Sequence, residues 1–254
     1  MKFTQSPIIL FCSLALLFCG CSKRNDVPRF TNGMEITATL DSLFGKLETI
    51  RTQTNPNPEG LVEINERIRR TIEHIGSQRL LHEMQNGYEN HNHLFSYILS
   101  PDQKVAIFSW YTHLENSGNR IKNIALYDSD TKMVPTSLYG TPVIYNGIHQ
   151  IKTYGDETIY LLQGQDSIQQ RVFYRLNAYL LKNGYLEETP AFPNNESSFA
   201  LTSLSNSSKR GRSPNFKIEM NGLRILFQDN LDTSNVENAM AFDGKKYILE
   251  KEYH

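Results

Sequence analysis

The feature that most constrains the fold of this chain is a layout that occurs three times after residue 94. In each case, two runs rich in β-branched and aromatic residues flank a tight polar turn, and a second hairpin around another polar turn follows. The first hairpins turn at residues 100–104, 155–157 and 221–222, and the second hairpins turn at 128–132, 182–184 and 243–245. Because hairpins in series form antiparallel meanders, the pattern predicts three four-stranded meanders.

The first of these turns has the sequence Ser100-Pro101-Asp102-Gln103-Lys104. It resembles the Ser-Pro-Asp-Gly-Lys turn between inner strands of many β-propeller blades, with Gln103 in place of the usual glycine. The resemblance implies blade-like sheets, although three blades are fewer than the roughly four that close a propeller. A partial propeller and a β-sandwich therefore remain open as alternatives. We favour a curved, open antiparallel sheet on which the N-terminal helices pack.

Two amphipathic helices precede the β region. Apolar residues recur at three- and four-residue steps, at Ile36, Leu40, Phe44, Leu47 and Ile50 and again at Leu61, Ile64, Ile68, Ile72 and Ile75. Asn57-Pro58 is typical of a helix start, and a further helical stretch over 77–85 is expected to stop at Asn86-Gly87. The predicted fold class is α+β, mainly β, with a helical segment at 36–87 and an antiparallel β domain at 88–254.

The N-terminus is typical of an export signal. Lys2 precedes an apolar run from Ile8 to Phe18, which is shorter than the roughly 20 residues that span a bilayer. The run leads into Cys19-Gly20-Cys21, which resembles the lipobox of bacterial lipoproteins, where a small residue precedes the lipidated cysteine. The resemblance implies a signal peptide over 1–20 and a lipid anchor of diacylglycerol and a palmitate-type chain on Cys21.

The residues after Cys21 extend this resemblance. Ser22 follows the cysteine, as in lipoproteins that are sent to the outer membrane of Gram-negative bacteria. Residues 21–35 are polar, contain Pro28 and Gly33, and are predicted to form a flexible tether. The predicted location is therefore the cell envelope, with the membrane as a partner through the lipid on Cys21.

Motifs for common catalytic chemistry are absent from the sequence. It has no Gly-x-Ser-x-Gly elbow and no glycine-rich phosphate loop, and after cleavage Cys21 is its only cysteine. The 26 basic and 27 acidic residues give a net charge of −1, which provides no excess to neutralise a nucleic-acid backbone. We predict no cofactor and no nucleic-acid partner.

Two segments partly match known metal-binding patterns. His82-Glu83-Met84-Gln85-Asn86 lacks the second histidine of the zinc protease pattern, and even with His91 and His93 nearby we interpret these as polar residues at a helix–strand junction. The segment 128–132 begins like a calcium loop, but Lys132 occupies a ligand position. We predict a hairpin turn there and no metal site.

Aromatic residues are the remaining indication of binding, because the chain has 13 Tyr, 13 Phe and one Trp. Rings at strand ends and in loops can stack on ligands, so Trp110, Tyr111, Tyr139 and Tyr145 are the candidate ligand-stacking residues. Tyr154 also lies near a loop. The alternative is that these rings fill a β core, where aromatic residues are common.

Segment 191–215 is rich in serine and asparagine and contains Lys209, Arg210 and Arg212. We predict a long exposed loop between the second and third meanders, in which this basic triplet is solvated.

Together these features favour a non-enzymatic binding or interaction module of the cell envelope, with a glycan or another envelope protein as its ligand. The alternative is an envelope hydrolase that acts on glycan or peptide through acidic residues that spacing does not locate. A third reading is a structural partner of a larger assembly. Converging carboxylates with raised pKa values would favour the hydrolase, exposed rings beside a groove would favour binding, and a broad apolar patch would favour the structural partner.

Overall fold

The computed structural model of the protein describes residues 29–89, 92–114, 120–130, 132–168, 171–204, 216–227 and 238–250. Within these ranges the chain forms three α-helices and thirteen antiparallel strands in three open sheets. The prediction of a mainly β protein with a small helical part is confirmed. The signal peptide, Cys21, His91 and the triplet Lys209, Arg210 and Arg212 lie outside the described residues.

Each helix begins at a side chain that accepts a backbone N–H of the first turn. The capping residues are Asn32 for α1 (Gly33–Arg51), Asn57 for α2 (Pro58–Glu73) and Ser77 for α3 (Gln78–Tyr88). The predicted start of the second helix at Asn57-Pro58 is confirmed. None of the described helices combines the length and apolar character needed to cross a bilayer.

Two helix boundaries differ from the prediction. The first helix begins at Gly33, because the side chain of Asn32 caps it by accepting the Glu35 N–H at 2.9 Å. Residues 33–35 of the predicted tether are therefore helical. The third helix continues through Asn86-Gly87 to Tyr88, whose hydroxyl donates to the carbonyl of Phe95 at 2.7 Å and anchors the last turn.

The strands form three meanders, one in each sheet. The first sheet contains β1 (Ser96–Leu99), β2 (Val105–Tyr111), β3 (Ile121–Asp128) and β4 (Met133–Ser137). The second contains β5 (Ile144–Lys152), β6 (Thr158–Ile168), β7 (Arg171–Lys182), β8 (Tyr185–Glu188) and β9 (Ser198–Leu204). The third contains β10 (Phe216–Glu219), β11 (Arg224–Phe227), β12 (Asn238–Phe242) and β13 (Tyr247–Leu249). Four strands of each sheet pair in chain order, as the three meanders require, but the meanders form separate sheets and not one curved sheet.

Strand β9 lies inside segment 191–215, where a long exposed loop was predicted, and for this part of the segment the prediction is wrong. β9 pairs with β7 in a register that joins Asn177 to Ser198. Just before it, Phe192 is buried and stacks on Tyr247 with ring centroids 5.4 Å apart. The segment is rich in serine, so its composition indicated a loop, although it also contains the apolar residues that these contacts bury.

The helices and the three sheets are stacked face to face. Phe44 and Trp110 belong to a core between the helices and the first sheet. Ile107 and Tyr160 belong to a second core between the first and second sheets. A third core, which contains Ile225, lies between the second and third sheets. The order of layers is therefore helices, first sheet, second sheet, third sheet.

Strand β6 shows how neighbouring layers are coupled. Its side chains alternate, so that Tyr160 and Leu162 face the first sheet while Ile159 and Leu161 face the third. Because both faces are covered here, residues 159–162 of the strand form a continuous apolar run, as is typical of strands buried on two sides.

The far face of the third sheet carries ion pairs. Lys217 lies 2.6 Å from Glu219, and Arg224 bridges Glu219 and Glu250 at 3.3 and 2.7 Å. These residues alternate along their strands with the apolar side chains of the third core, so they point away from it. Among the described residues, this charged face is the outer surface of the third sheet.

Candidate functional site

The four predicted stacking residues do not come together. Trp110 is 1% exposed in the core between the helices and the first sheet, and Tyr145 is 2% exposed in the next core. Their rings are packing elements, and neither is accessible to a ligand. Tyr111 is 38% exposed and Tyr139 is 82% exposed.

Hydrogen bonds explain why the two buried rings tolerate burial. The Trp110 indole donates from Nε1 to Oδ1 of Asn65 at 2.8 Å. The Tyr145 hydroxyl donates to Oδ1 of Asn177 at 3.1 Å, and burial raises the pKa of this phenol, which keeps it neutral. Both polar groups are therefore satisfied inside the protein.

Tyr111 belongs to a link between the first and second sheets. Its hydroxyl donates to Oδ1 of the buried Asp166 at 3.3 Å, and Arg120 forms an ion pair with the same carboxylate. The guanidinium carbon of Arg120 lies 5.5 Å from the centre of the Tyr111 ring, which is within the range of a cation–π contact. The arrangement fixes the two sheets relative to each other.

The histidines considered as metal ligands, His82 and His93, also lie apart. His82 is exposed on α3, whereas the side chain of His93 is buried, stacks on Tyr88 at 4.5 Å and lies 2.7 Å through Nδ1 from Oδ1 of Asp41. No group of three or more metal-ligating side chains occurs in the described ranges. At 128–132 the amide of Ser129 donates to the carbonyl of Lys132 at 3.0 Å, as the predicted hairpin turn requires.

The displaced carboxylate pKa values in the described residues all move downward. Arg69 and Arg70 lower the pKa of Glu66 to about 2, and the amides of Lys246 and Lys245 lower that of Asp243. Glu48, Glu83 and Glu219 follow the same direction. These groups are held ionised by their partners, whereas a general acid that works near neutral pH needs a raised pKa.

One exposed surface is made of tight turns at one end of the sheets. We call it the turn face, and it comprises the described residues of the turns at 100–104, 129–130 with 132, 153–157, 183–184, 220–222 and 243–246. Each of these turns contains a residue with positive φ, and these residues are Gln103, Asp130, Asp156, Asn183, Gly184, Met220, Asn221, Gly222 and Gly244. Asn, Asp and Gly dominate this set because they adopt the left-handed conformation at least cost.

Contacts between sheets hold the turns of the turn face together. The Tyr160 hydroxyl donates to Oδ2 of Asp102 at 2.8 Å, which joins the first and second sheets. The Tyr154 amide donates to the carbonyl of Gly244 at 2.9 Å, which joins the second and third. Turns from all three sheets therefore form one surface.

Tyr154 is the most prominent ring on this surface. It is 82% exposed, yet one side of the ring lies against the α-carbon of Gly244, where any β-carbon would overlap the ring atoms. Gly244 has φ +95°, a conformation that also favours glycine. The ring is thus in contact with Gly244 on one side, and most of its surface faces solvent.

A cleft lies on each side of the turn that carries Tyr154. The first cleft, about 370 Å³ in volume, is lined by Pro101, Ile148, His149, Gln150, Lys152 and Asn221. The second cleft, about 290 Å³ in volume, has Thr153, Glu157, Leu180, Thr189, Gly244 and Lys245 among its lining residues. The clefts therefore offer amide, imidazole, hydroxyl and single charged groups together with aliphatic side chains such as Ile148 and Leu180.

Charges around Tyr154 are largely compensated. Lys152 lies 3.6 Å from Asp156, and Lys182 lies 3.2 Å from Glu157. Asp243 accepts the amides of Lys245 and Lys246 at 2.8 Å each. In the first cleft, burial lowers the pKa of His149 against an opposing hydrogen bond with Gln163, so this imidazole is neutral at pH 7.

The sequence indicates the two turns of this site but not the contact between them. Tyr154 stands next to a predicted turn, and Asp243-Gly244 marks another, but nothing in the sequence indicates that the two turns touch. No protein-family model matches this chain, and a search of curated proteins found no similar sequence. The fold and the turn face therefore define the class, a layered, mainly β protein with an exposed ring beside two clefts of mixed lining.

Proposed function

We propose that the protein is a lipid-anchored binding module of the cell envelope, and that the turn face is its ligand-binding surface. The observation that carries the proposal is the placement of Tyr154, whose ring is exposed, in contact with Gly244 and beside two clefts of mixed polar and apolar lining. Exposed aromatic rings that are held in place lose little conformational freedom on binding, which is why they recur at recognition surfaces.

The anchor in this proposal is the lipid on Cys21. Residues 22–32 separate that cysteine from the first residue of α1, and a chain of this length reaches at most roughly 40 Å. The domain would therefore stay close to the outer membrane, so a ligand within the envelope matches the proposed location.

The proposal includes a blade-like role for the meanders. Sheets packed face to face, each with four strands in chain order, and the turn at 100–104 support this reading. The helices cover the free face of the first sheet, where a further blade would pack in a longer array.

Replacing Cys21 with Ala tests the anchor. We expect the Cys21→Ala protein to lose metabolic labelling with radiolabelled palmitate and to leave the detergent phase in partition experiments, because the thioether cannot form. Cys19→Ala is the matched control and should keep both properties. Palmitate labelling that survives in Cys21→Ala would refute the anchor.

Retention on isolated cell envelopes tests the binding surface. The full-length protein in detergent micelles is incubated with envelopes from cells that lack it, and retention is compared for wild type, Tyr154→Ala and Tyr139→Ala. We expect Tyr154→Ala to be retained less, while Tyr139→Ala, an equally exposed ring in the connection between β4 and β5, is retained like wild type. Release of soluble glycan or peptide fragments during the incubation would instead support the hydrolase alternative.

A further inference from the structure

We propose that the ligand of the turn face is a neutral glycan, with one pyranose ring stacked on the free side of Tyr154 and its neighbours directed toward the two clefts. This inference rests on the proposed binding function and names the chemical class of the ligand. It is carried by the ring, the charges and the lining of the clefts.

The Tyr154 ring offers the type of surface that a sugar ring prefers. The face of an aromatic ring is electron-rich, so it attracts the positively polarised C–H groups on one face of a pyranose. Gly244 contacts the opposite side of the ring. The hydrogen bond from the Tyr154 amide to the Gly244 carbonyl, at 2.9 Å, holds the two turns together. Stacking therefore requires little reorganisation of the protein.

The charges around the ring favour an uncharged ligand. The segments 152–157, 182–184 and 243–246 contain four lysines, Lys152, Lys182, Lys245 and Lys246, and three acids, Asp156, Glu157 and Asp243, which gives a formal charge of only +1. Lys152 and Lys182 are already paired with Asp156 and Glu157. An anionic polysaccharide would find no concentrated positive field here, because recognition of such chains depends on clustered basic groups.

The clefts supply neutral hydrogen-bonding groups for hydroxyls. Gln150 and Asn221 line the first cleft together with the neutral imidazole of His149, and Thr153 and Thr189 line the second. Volumes of about 370 and 290 Å³ are near the lower end of the range for small-ligand sites, so each cleft suits one small unit such as a single sugar ring. A chain of sugars across Tyr154 would use all three elements.

The experiment measures binding of defined ligands to the full-length protein in detergent micelles by saturation-transfer NMR and calorimetry. The neutral probes are oligosaccharides of glucose, mannose and N-acetylglucosamine. The comparison probes are uronic acid oligosaccharides and a library of unstructured peptides. We expect at least one neutral oligosaccharide to bind, with transfer to the C–H groups of a pyranose.

Variants connect this binding to the geometry. Tyr154→Ala should weaken it by roughly tenfold, as the loss of one stacking contact predicts, while Tyr154→Trp preserves it and Tyr139→Ala leaves it unchanged. Gly244→Ala keeps the tyrosine but displaces its ring, so it should also weaken binding while circular dichroism shows that the fold is intact.

Distinct outcomes would overturn the inference. Binding of uronic acid oligosaccharides or peptides but of no neutral probe would reject the neutral glycan class, and the proposed function would stand if envelope retention still depended on Tyr154. Neutral glycan binding that is equal in wild type and Tyr154→Ala would reject this site. If the wild-type protein is neither retained on envelopes nor binds any of the defined probes, the proposed function itself is rejected.

Discussion

Gly33 illustrates how one residue determines the packing of two helices. Its amide donates to Oε2 of Glu83 at 2.9 Å, and a β-carbon at this position would overlap the backbone of Glu83 and Met84. The first turn of α1 therefore touches α3 directly. From the sequence Gly33 was interpreted as part of the tether, because glycine is also common in flexible segments.

Gly33→Ala should destabilise the protein by about 1–3 kcal/mol, because overlap with backbone atoms forces the two helices apart. The control is Gly45→Ala in the same helix, where a β-carbon meets nothing within 4 Å. This second change should stabilise the protein by about 0.5–1 kcal/mol, because alanine is the better helix former. Urea denaturation followed by Trp110 fluorescence measures both, and equal effects of the two substitutions would contradict the argument.

Asn65 shows the same limit of prediction in a polar residue. On the sequence it is one polar position of an amphipathic helix, and nothing distinguishes it from its exposed neighbours. In the structure it is buried, accepts the Trp110 indole N–H and donates from Nδ2 to the carbonyl of Thr112 at 2.9 Å. Its role depends on a tryptophan 45 positions further along the chain.

At the scale of elements, α2 is stabilised on its exposed side by a local ion-pair network. Arg69 lies 2.5 Å from both Glu66 and Glu73, and Arg70 lies 2.9 Å from Glu66. These residues are three or four positions apart, so they face each other on one side of the helix. The charged residues of α2, like its apolar stripe, recur at three- and four-residue spacing, so the sequence alone places each set on one side of the helix.

Glu66 should make the stability of the protein depend on pH in acid. Its pKa is lowered from 4.5 to about 2 in the folded state by Arg69 first and Arg70 next, so its stabilising contribution is complete above pH about 4.5 and is lost as pH falls toward 2. Glu66→Gln removes this contribution. At pH 6 the variant should be less stable by at most about 1 kcal/mol, since the pair is partly exposed, and the difference should shrink toward pH 2.

Equilibrium denaturation at several pH values measures this effect. Glu63→Gln, an exposed position on the same helix, is the control for removing one negative charge from α2. A difference between wild type and Glu66→Gln that grows as pH falls would have the wrong sign and contradict the assignment.

The whole molecule is a stack in which each sheet shares a core with the next. β6 contributes to the second and third cores at once, and β2 contributes to the first and second, with Phe108 on one side and Ile107 on the other. Each sheet therefore buries its apolar side chains only together with a neighbouring layer. We expect the layers to unfold together, since the loss of one layer exposes the core of its neighbour.

Ile225→Ala tests this coupling from the far end of the stack. Ile225 is fully buried in the core between the second and third sheets, so the substitution should cost about 2–5 kcal/mol. The chain has one tryptophan, Trp110, which lies in the core between the helices and the first sheet. If the stack is cooperative, the midpoint of the tryptophan fluorescence transition shifts with that of far-ultraviolet circular dichroism.

Leu223→Ala, a partly exposed residue near Ile225, is the control and should shift neither midpoint by much. A third sheet that unfolds by itself would show a separate early transition in circular dichroism while the Trp110 transition remained at its wild-type midpoint.

The sequence by itself determined the local elements of this protein. Periodicity located the helices, Asn57-Pro58 located the start of the second helix, and turn residues located the three meanders, because these features depend on neighbours within a few positions of the chain. The leader, with its resemblance to a lipobox at Cys21, also belongs to this local information and supports the proposed location.

Tertiary structure alone decided which of these elements meet. It buried Trp110 and Tyr145, paired β9 with β7, separated the meanders into three sheets and placed Tyr154 on Gly244. The physical reason is that each of these facts is a contact between residues far apart in the chain, and its energy depends on how complete layers pack. An aromatic residue near a turn has the same local pattern whether it fills a core or faces solvent, and only the packing of the layers distinguishes the two.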